Sequence, residues 1–130
     1  MDIAAFENMV PFARHLGIQL TSVTADEVSG HIEITAALCN NTPNVHGGVV
    51  MSLGDALGAV GAFQNIPDGA DGTTTIESKT NFLKMAAQGD ILYGVARPLS
   101  RGRRLSVWQT SITRGDGKMV AQVTQTQLYL

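Results

Sequence analysis

The stretch that decides the fold is residues 44–63, N-V-H-G-G-V-V-M-S-L-G-D-A-L-G-A-V-G-A-F. Between His46 and Asp68 the only ionisable side chain is Asp55. The other residues there are apolar or small, apart from two amides near the end, and such a run predicts a buried helix. Because a lone carboxylate is costly to bury, the helix must gain something from carrying Asp55.

Side-chain size divides this predicted helix into two sides. At about 100° per residue, one side collects the bulky residues Val49, Val50, Leu53, Leu57 and Val60. The other side collects Gly48, Ser52, Asp55, Ala59 and Ala62, with Gly54, Gly58 and Gly61 beside them. Each interior glycine costs about 1 kcal/mol relative to alanine, so three of them predict a close approach. Either another backbone or a ligand approaches the helix here, or the helix packs tightly on the chain's own sheet. In the second case, the Asp55 carboxylate has its hydrogen-bond partners within the fold.

Length and composition bound the class of protein. A chain of 130 residues predicts a single domain, residues 1–130, with a real core. A net charge of -2 gives no electrostatic case for a nucleic-acid partner. The single Cys39 excludes an internal disulfide, and none of the three histidines has a second ligand at helical spacing, so we predict no metal site. Neither a signal peptide nor a membrane span is indicated, and we expect a soluble, cytoplasmic protein without a membrane partner.

The segments before the long helix predict a short helix and a hairpin. Residues 2–16 have helical apolar spacing, with Pro11 as a break or kink and Gly17 as a stop. Residues 18–24 and 27–36 alternate in the manner of two strands around a turn.

Four strand-like runs follow the long helix, and their order decides the fold class. They are residues 73–83, 91–97, 105–113 and 119–130, and the segment P-L-S-R-G-R-R from 98 to 104 is predicted to connect the second run to the third. The order of elements is one helix, two strands, the long helix and four strands. This order predicts an α+β domain, in which an antiparallel sheet wraps one buried helix.

The loop before the long helix brings polar groups to its amino terminus. Residues 38–46, L-C-N-N-T-P-N-V-H, deliver Asn40, Asn44 and His46 to an end that presents unpaired N–H groups and a positive dipole. Gly47 and Gly48 leave those groups uncovered, so a carbonyl or an oxyanion can dock there. The alternative is that Asn44 simply caps the helix.

This order of elements and these residues resemble the hotdog-fold acyl-CoA thioesterases of the phenylacetic-acid-degradation (PaaI-like) type. The resemblance runs from about Ile18 to the carboxyl terminus, and its most specific part is Asn40, then His46-Gly47-Gly48, then Asp55 nine residues after the histidine. The run T-I-E-S-K-T-N-F-L-K at 75–84 looks like the family's central strand, and R-G-R-R at 101–104 looks like its basic turn. Two residues depart from the family pattern, Pro43 where glycine is usual and Met85 where proline is usual.

The resemblance implies a hotdog fold with an extra N-terminal helix, and hydrolysis of an acyl- or aryl-CoA thioester. It implies that the Gly47 N–H polarises the carbonyl, with His46 and Asn40 beside it, and that Asp55 is the nucleophile or general base. Thr75 matches a position whose hydroxyl orients the carboxylate or the water, although it also fits an ordinary strand threonine. Coenzyme A is then part of the substrate and no separate cofactor is expected. The basic side chains that can pair with its phosphates, or form a solvated turn, are Arg101, Arg103 and Arg104.

The spacing within the helix predicts that a second chain completes the site. Gly47 and Asp55 are eight residues apart, so their backbones lie about 12 Å apart on one helix and cannot easily serve one carbonyl carbon. An antiparallel helix from a twofold partner can bring its own Asp55 to this Gly47. We therefore predict a homodimer as the minimal active unit, and the resemblance implies that dimers pair into tetramers.

Two other functions remain open at this point. One is a non-catalytic module that binds acyl-CoA on the same fold, and the other is a hydratase or dehydratase. Aryl-acetyl, benzoyl-like and medium-chain acyl groups all remain open as substrates.

Overall fold

The computed structural model describes all residues from 1 to 130. Its α-helices are α1 (Ile3–Met9), α2 (Pro11–Leu16) and α3 (Gly47–Phe63), with a 3₁₀ turn at Ala36–Leu38. Its strands are β1 (Gln19–Val23), β2 (Val28–Glu33), β3 (Thr73–Phe82), β4 (Ile91–Arg101), β5 (Leu105–Arg114) and β6 (Met119–Tyr129). The strands form one sheet in the order β1-β2-β4-β5-β6-β3 with every neighbouring pair antiparallel. The predicted α+β architecture, a long helix against an antiparallel sheet, is confirmed.

Helix α3 lies on the sheet through the side that the sequence predicted. The bulky residues Val50, Leu53 and Leu57 are buried in the core. The glycines beside them serve the same packing, because a Cβ on Gly54, Gly58 or Gly61 would overlap a side chain of the sheet. The side chains concerned are Val123, Gln125 and Trp108 respectively. For these three glycines, approach of another backbone or a ligand is the wrong explanation, and tight helix-on-sheet packing is the right one.

The opposite side of α3 is not covered by the sheet. Gly48, Ser52, Asp55 and Ala59 are half-buried, and Met51 is exposed. The N-terminal helices cover only part of this face, with Phe6 of α1 fully buried. A surface of small side chains around one carboxylate is therefore left open along α3.

The N-terminal segment follows the sequence prediction closely. Helix α1 ends before Pro11, which opens α2 at its first position, where its missing N–H has no intrahelical role. Gly17 ends α2 in the left-handed conformation, with φ 84°. No helix of the chain is both long enough and apolar enough to cross a lipid bilayer.

Strand β4 is longer than the sequence predicted. The segment 98–104 was expected to be a connection, but β4 continues through Pro98 to Arg101 and only residues 102–104 turn. A β-bulge between Pro98 and Ser100 interrupts the pairing with β5. Since proline cannot donate to a ladder, a bulge at this position lets the strand continue past it.

A β-bulge in strand β3 changes which of its residues face α3. A bulge between Thr75 and Glu77 leaves Ile76 without a partner on β6. Thr75 turns towards α3 before the bulge, and Ser78 lines the cavity beside α3 after it. The simple alternation predicted for residues 73–83 is therefore wrong at this point. The bulge matters because it lies next to the residue that contacts Asp55.

Candidate active site

The loop before α3 is held by backbone hydrogen bonds on both sides. The Asn40 N–H donates to the Asn44 carbonyl at 2.9 Å, and the His46 N–H donates to the Leu38 carbonyl at 2.8 Å. The Pro43 carbonyl accepts from the Gln88 N–H at 2.9 Å. Pro43 thus lies in a closed loop whose two ends are fixed next to the start of α3.

His46 caps α3. Its Nδ1 accepts a hydrogen bond from the Gly48 N–H at 2.8 Å. The alternative that Asn44 caps the helix is wrong, because the N-cap residue is His46 and no N–H of the helix donates to the Asn44 side chain, whose amide donates to the Thr42 hydroxyl at 3.0 Å. Since Nδ1 is an acceptor, the proton of neutral His46 lies on Nε2. The exposed His46 ring therefore keeps one donor for a ligand.

Two further donors at this end of α3 have no acceptor within the chain. Gly47 is the first residue of the helix, and its N–H makes no hydrogen bond. The Asn40 Oδ1 accepts from the backbone and the hydroxyl of Thr42 at 2.8 and 2.6 Å, which leaves Asn40 Nδ2 free. Asn40 and Gly47 line one cavity of about 270 Å³, in which Phe82 lies beside Gly47. This cavity presents N–H donors to whatever enters it.

Asp55 lies at the middle of α3 and is held by one of its two oxygens. Its Oδ1 accepts a hydrogen bond from the Thr75 hydroxyl at 2.7 Å and one from Gln125 Nε2 at 3.3 Å. Its Oδ2 makes no hydrogen bond within the chain. The carboxylate is half-buried and has specific donors, which explains how an apolar helix tolerates it.

The cavity that Asp55 lines is mainly apolar. It has a volume of about 500 Å³ and lies between α3 and the N-terminal helices. Its apolar walls include Phe6, Val10, Phe12, Met51, Val60 and Phe63. Polar groups reach it from Ser52, Thr73 and Ser78 as well as from Asp55. Such a lining suits an apolar group attached to a reactive polar centre.

The predicted site residues form two groups within one chain. Asn40, His46 and Gly47 lie at the amino end of α3, whereas Asp55 and Thr75 lie at its middle. The cavity lined by Asn40 and Gly47 does not include Asp55, and the cavity of Asp55 includes neither of them. Gly47 and Asp55 are eight residues apart, which is about 12 Å along the helix. A single chain therefore does not bring the two groups to one reacting atom.

The three predicted phosphate-binding arginines have different surroundings. Arg101 pairs with Asp26 and donates to Asn65 Oδ1 at 3.4 Å, which ties the end of β4 to the β1–β2 turn. Arg103 and Arg104 are exposed and form no ion pair. Both line a surface hollow of about 480 Å³ beside residues 67–70. Arg101 thus has a structural partner, while the other two have free guanidinium groups.

Sequence reasoning missed two residues of the Asp55 surroundings, Gln125 and Gln127. Both are fully buried on β6, on the same side of the strand as Val123 and Tyr129. Gln127 Nε2 donates to the Thr75 hydroxyl at 2.6 Å. The available signal was the strand alternation, which puts two amides at positions where apolar side chains are expected.

Comparison with known proteins identifies the family. A family model described as the thioesterase superfamily matches residues 42–121, which include α3 and the last part of the loop before it. The protein Rv1847 of Mycobacterium tuberculosis is 30% identical over 115 residues, which are 87% of this chain and 81% of that protein. The 1,4-dihydroxy-2-naphthoyl-CoA thioesterase 2 of Arabidopsis thaliana is 28% identical over 120 residues, 88% of this chain and 75% of that protein.

Solved structures share the architecture over almost the whole chain. The structure of Rv1847 superposes with a TM-score of 0.89 at 28% identity, covering 93% of this chain and 97% of that one. The PaaI protein of E. coli, from the phenylacetic acid degradation operon, superposes with a TM-score of 0.89 at 23% identity, covering 98% and 89%. The fold is therefore the hotdog fold that the resemblance implied.

Proposed function

This chain belongs to the thioesterase superfamily and is a thioester hydrolase, and on that premise we propose that it hydrolyses acyl-CoA thioesters to a free acid and coenzyme A. The observation that carries the proposal is the state of Asp55: one oxygen held by two donors, the other without a partner, beside an apolar cavity. The Arabidopsis relative, which is named as a CoA thioesterase, supports the substrate class.

The amino end of α3 is proposed to polarise the thioester carbonyl. The Gly47 N–H lacks an acceptor and lies at the positive end of the helix dipole, so it suits the oxygen that becomes negative during the reaction. Nε2 of His46 and Nδ2 of Asn40 are further donors at this end, and we assign them to holding the thioester and the water.

Asp55 is proposed to be the base or the nucleophile. As a base it accepts a proton from water while the water oxygen bonds to the acyl carbon. As a nucleophile its own oxygen makes that bond, and water cleaves the resulting anhydride in a second step. In both routes the carbon–sulfur bond breaks when the tetrahedral intermediate collapses, and the sulfur leaves as coenzyme A after taking up a proton.

A twofold copy of the same chain is proposed to complete each site. Antiparallel packing of two α3 helices puts the Asp55 of one chain near the Gly47 of the other. The open face around Asp55 carries the small side chains of Ser52 and Ala59, so a second helix can lie alongside it. The minimal active unit is then a homodimer, and dimers pair into a tetramer in the form that the resemblance implies.

The edge strand of the sheet is a separate observation in favour of a homodimer. Strand β3 is an edge strand, and its outer backbone groups have no partner in the chain. Large apolar side chains are exposed on β3 and just beyond it, namely Ile76, Phe82, Leu83 and Met85. An unpaired edge with exposed apolar side chains suits burial against another chain.

The two ends of the substrate are assigned to different surfaces. The mainly apolar cavity of about 500 Å³ beside Asp55 is assigned to the acyl group. The phosphates of coenzyme A are assigned to Arg103 and Arg104, whose guanidinium groups are free. Arg101 is assigned a supporting role at the same turn, where its ion pair with Asp26 holds the end of β4.

The experiment is thiol release from a panel of CoA thioesters that carry aryl-acetyl, benzoyl and medium-chain acyl groups, measured as kcat/KM. The proposal expects turnover of at least one class, and the ratios of kcat/KM then identify the acyl group. Binding of the same esters without thiol release would instead show a non-catalytic acyl-CoA module.

A further inference from the structure

Two buried amides lie directly behind the Asp55 carboxylate. Gln125 and Gln127 are fully buried on β6, between Val123 and Tyr129 on the same side of the strand. Burying a side-chain amide is unfavourable unless its hydrogen bonds are made inside the protein. Apolar side chains would fill these two positions without that cost, so the partners of the amides show what the chain gains from them.

Gln127 connects two threonines of the neighbouring strand. The register puts it directly opposite Thr75, and its Nε2 donates to the Thr75 hydroxyl at 2.6 Å. Its Oε1 accepts from the Thr73 hydroxyl at 3.0 Å. Both ends of the buried amide are thus satisfied, and both partners lie on the same edge strand.

The carboxylate fixes the direction of every hydrogen bond in this chain of contacts. An ionised Asp55 only accepts, so the single proton of the Thr75 hydroxyl must point to Oδ1. Thr75 then needs a donor on its other side, which is the NH₂ group of Gln127, and the Gln127 oxygen must face the hydroxyl of Thr73. All donors point towards Asp55, and the amide prevents the Thr75 hydroxyl from turning its proton elsewhere.

Gln125 donates to the same carboxylate, but its own side-chain oxygen has no hydrogen-bond partner. Its Nε2 donates to the backbone oxygen and to Oδ1 of Asp55, at 3.3 Å each. Its own Oε1 is buried against Gly58 and has no hydrogen-bond partner. A buried oxygen without a partner lowers stability, and such a group calls for an explanation. Turning the amide over would put this oxygen against the carboxylate, so the need of Asp55 for a donor explains the orientation.

We propose that Gln127, oriented by Thr73, is a positioning residue that makes the Thr75 hydroxyl a permanent donor to Asp55 Oδ1, with Gln125 as the second donor to that oxygen. The arrangement occupies Oδ1 and leaves Oδ2 as the oxygen that reacts. This inference rests on the proposed function and adds the residues that determine which carboxylate oxygen is free.

The test is a double-mutant cycle of Gln127→Met and Thr75→Val, with kcat and KM measured on an acyl-CoA that the unaltered chain hydrolyses. Gln127→Met is expected to lower kcat by roughly 3- to 10-fold with KM unchanged, which is the effect of one hydrogen bond in the network. In the Thr75→Val background, Gln127→Met is expected to lower kcat no further, because it acts through the missing hydroxyl. In the Thr75→Ser background, which keeps a hydroxyl, the loss is expected to return.

Gln109→Met is the matched control. Gln109 donates to the Thr124 hydroxyl at 3.2 Å across β5 and β6, so this variant removes a glutamine–threonine hydrogen bond outside the Asp55 network. It is expected to leave kcat unchanged, and thermal unfolding of all variants separates loss of stability from loss of positioning. Equal losses from Gln127→Met in all three backgrounds, or no loss in the unaltered chain, would overturn the positioning role alone. Absence of hydrolysis by the unaltered chain would overturn the proposed function and this role together.

Discussion

The amino end of α3 and the middle of the same helix supply different kinds of chemical group. At the amino end, the Gly47 N–H is free simply because the helix begins there. At the middle, Asp55 is a carboxylate whose oxygen is held by side chains from two strands, β3 and β6. A backbone donor depends only on where the helix starts, whereas the carboxylate depends on sheet register and buried side chains. The two regions should therefore respond to different substitutions.

The largest effect is expected at Asp55. In Asp55→Asn the amide oxygen can take the place of Oδ1 and keep the hydrogen bonds from Thr75 and Gln125, while the amide nitrogen replaces the free Oδ2. We expect the fold and binding of CoA esters to be retained and kcat to fall by about 10²- to 10⁴-fold, the usual contribution of acid–base catalysis. Steady-state kinetics with a thermal unfolding scan measure both. Near-normal turnover by the folded variant would remove Asp55 from the mechanism.

The next effect is expected from removing the backbone donor itself. Proline is well tolerated at the first position of a helix, and His46 already has the extended conformation that a following proline requires, with φ -67° and ψ 135°. Gly47→Pro therefore removes the N–H with little change to the helix, and we expect kcat to fall by about 10²- to 10³-fold, as for loss of an oxyanion donor.

Gly47→Ala is the control for that substitution. It adds a similar Cβ, about 3.2 Å from Phe82 Cε1, but keeps the N–H. Since the Phe82 side chain is exposed and can move, Gly47→Ala should retain most of its activity. Equal losses in the two variants would mean that space beside Phe82, and not the N–H, is what Gly47 provides.

The smallest effect is expected at the basic turn, outside both regions. Arg103→Ala or Arg104→Ala should raise KM for CoA esters by roughly fivefold or less, because exposed ion pairs contribute little. Short thioesters that lack the nucleotide should be unaffected. Kinetics with both kinds of substrate distinguish phosphate binding from a structural role, for which the change would be the same on both.

The features that could be predicted from the sequence are the local ones. The sorting of α3 by side-chain size predicted that its bulky residues enter the core, because helical periodicity depends only on neighbouring residues. It was wrong for Gly54, Gly58, Gly61 and Ala62, which it placed on the small side and which are also buried. The break at Pro11 and the stop at Gly17 follow from the same kind of local constraint.

The features that could not be predicted depend on contacts between distant segments. Gln127 meets Thr75 across 52 residues of sequence, and only the register of β3 on β6 makes them neighbours. The bulge at Ile76, which changes the residues of β3 that face α3 after Thr75, leaves no clear signal in a run of strand-forming residues. His46 rather than Asn44 caps α3 because pairing of the loop with the segment around Ala87 fixes where the helix starts.

The most direct test of the two-chain site is complementation between Gly47→Pro and Asp55→Asn. Each homodimer should be nearly inactive, but a mixed dimer has one site that combines an intact Gly47 from one chain with an intact Asp55 from the other. Random subunit exchange makes about half of the dimers mixed, and half of their sites are intact, so about a quarter of the unaltered activity should return. The measurement is thioester hydrolysis after the two variants are co-refolded in equal amounts, with mixed dimers verified by different tags on the two chains. Recovery of about a quarter of the activity is the predicted result, and mixed dimers that remain as inactive as the parents would contradict the account.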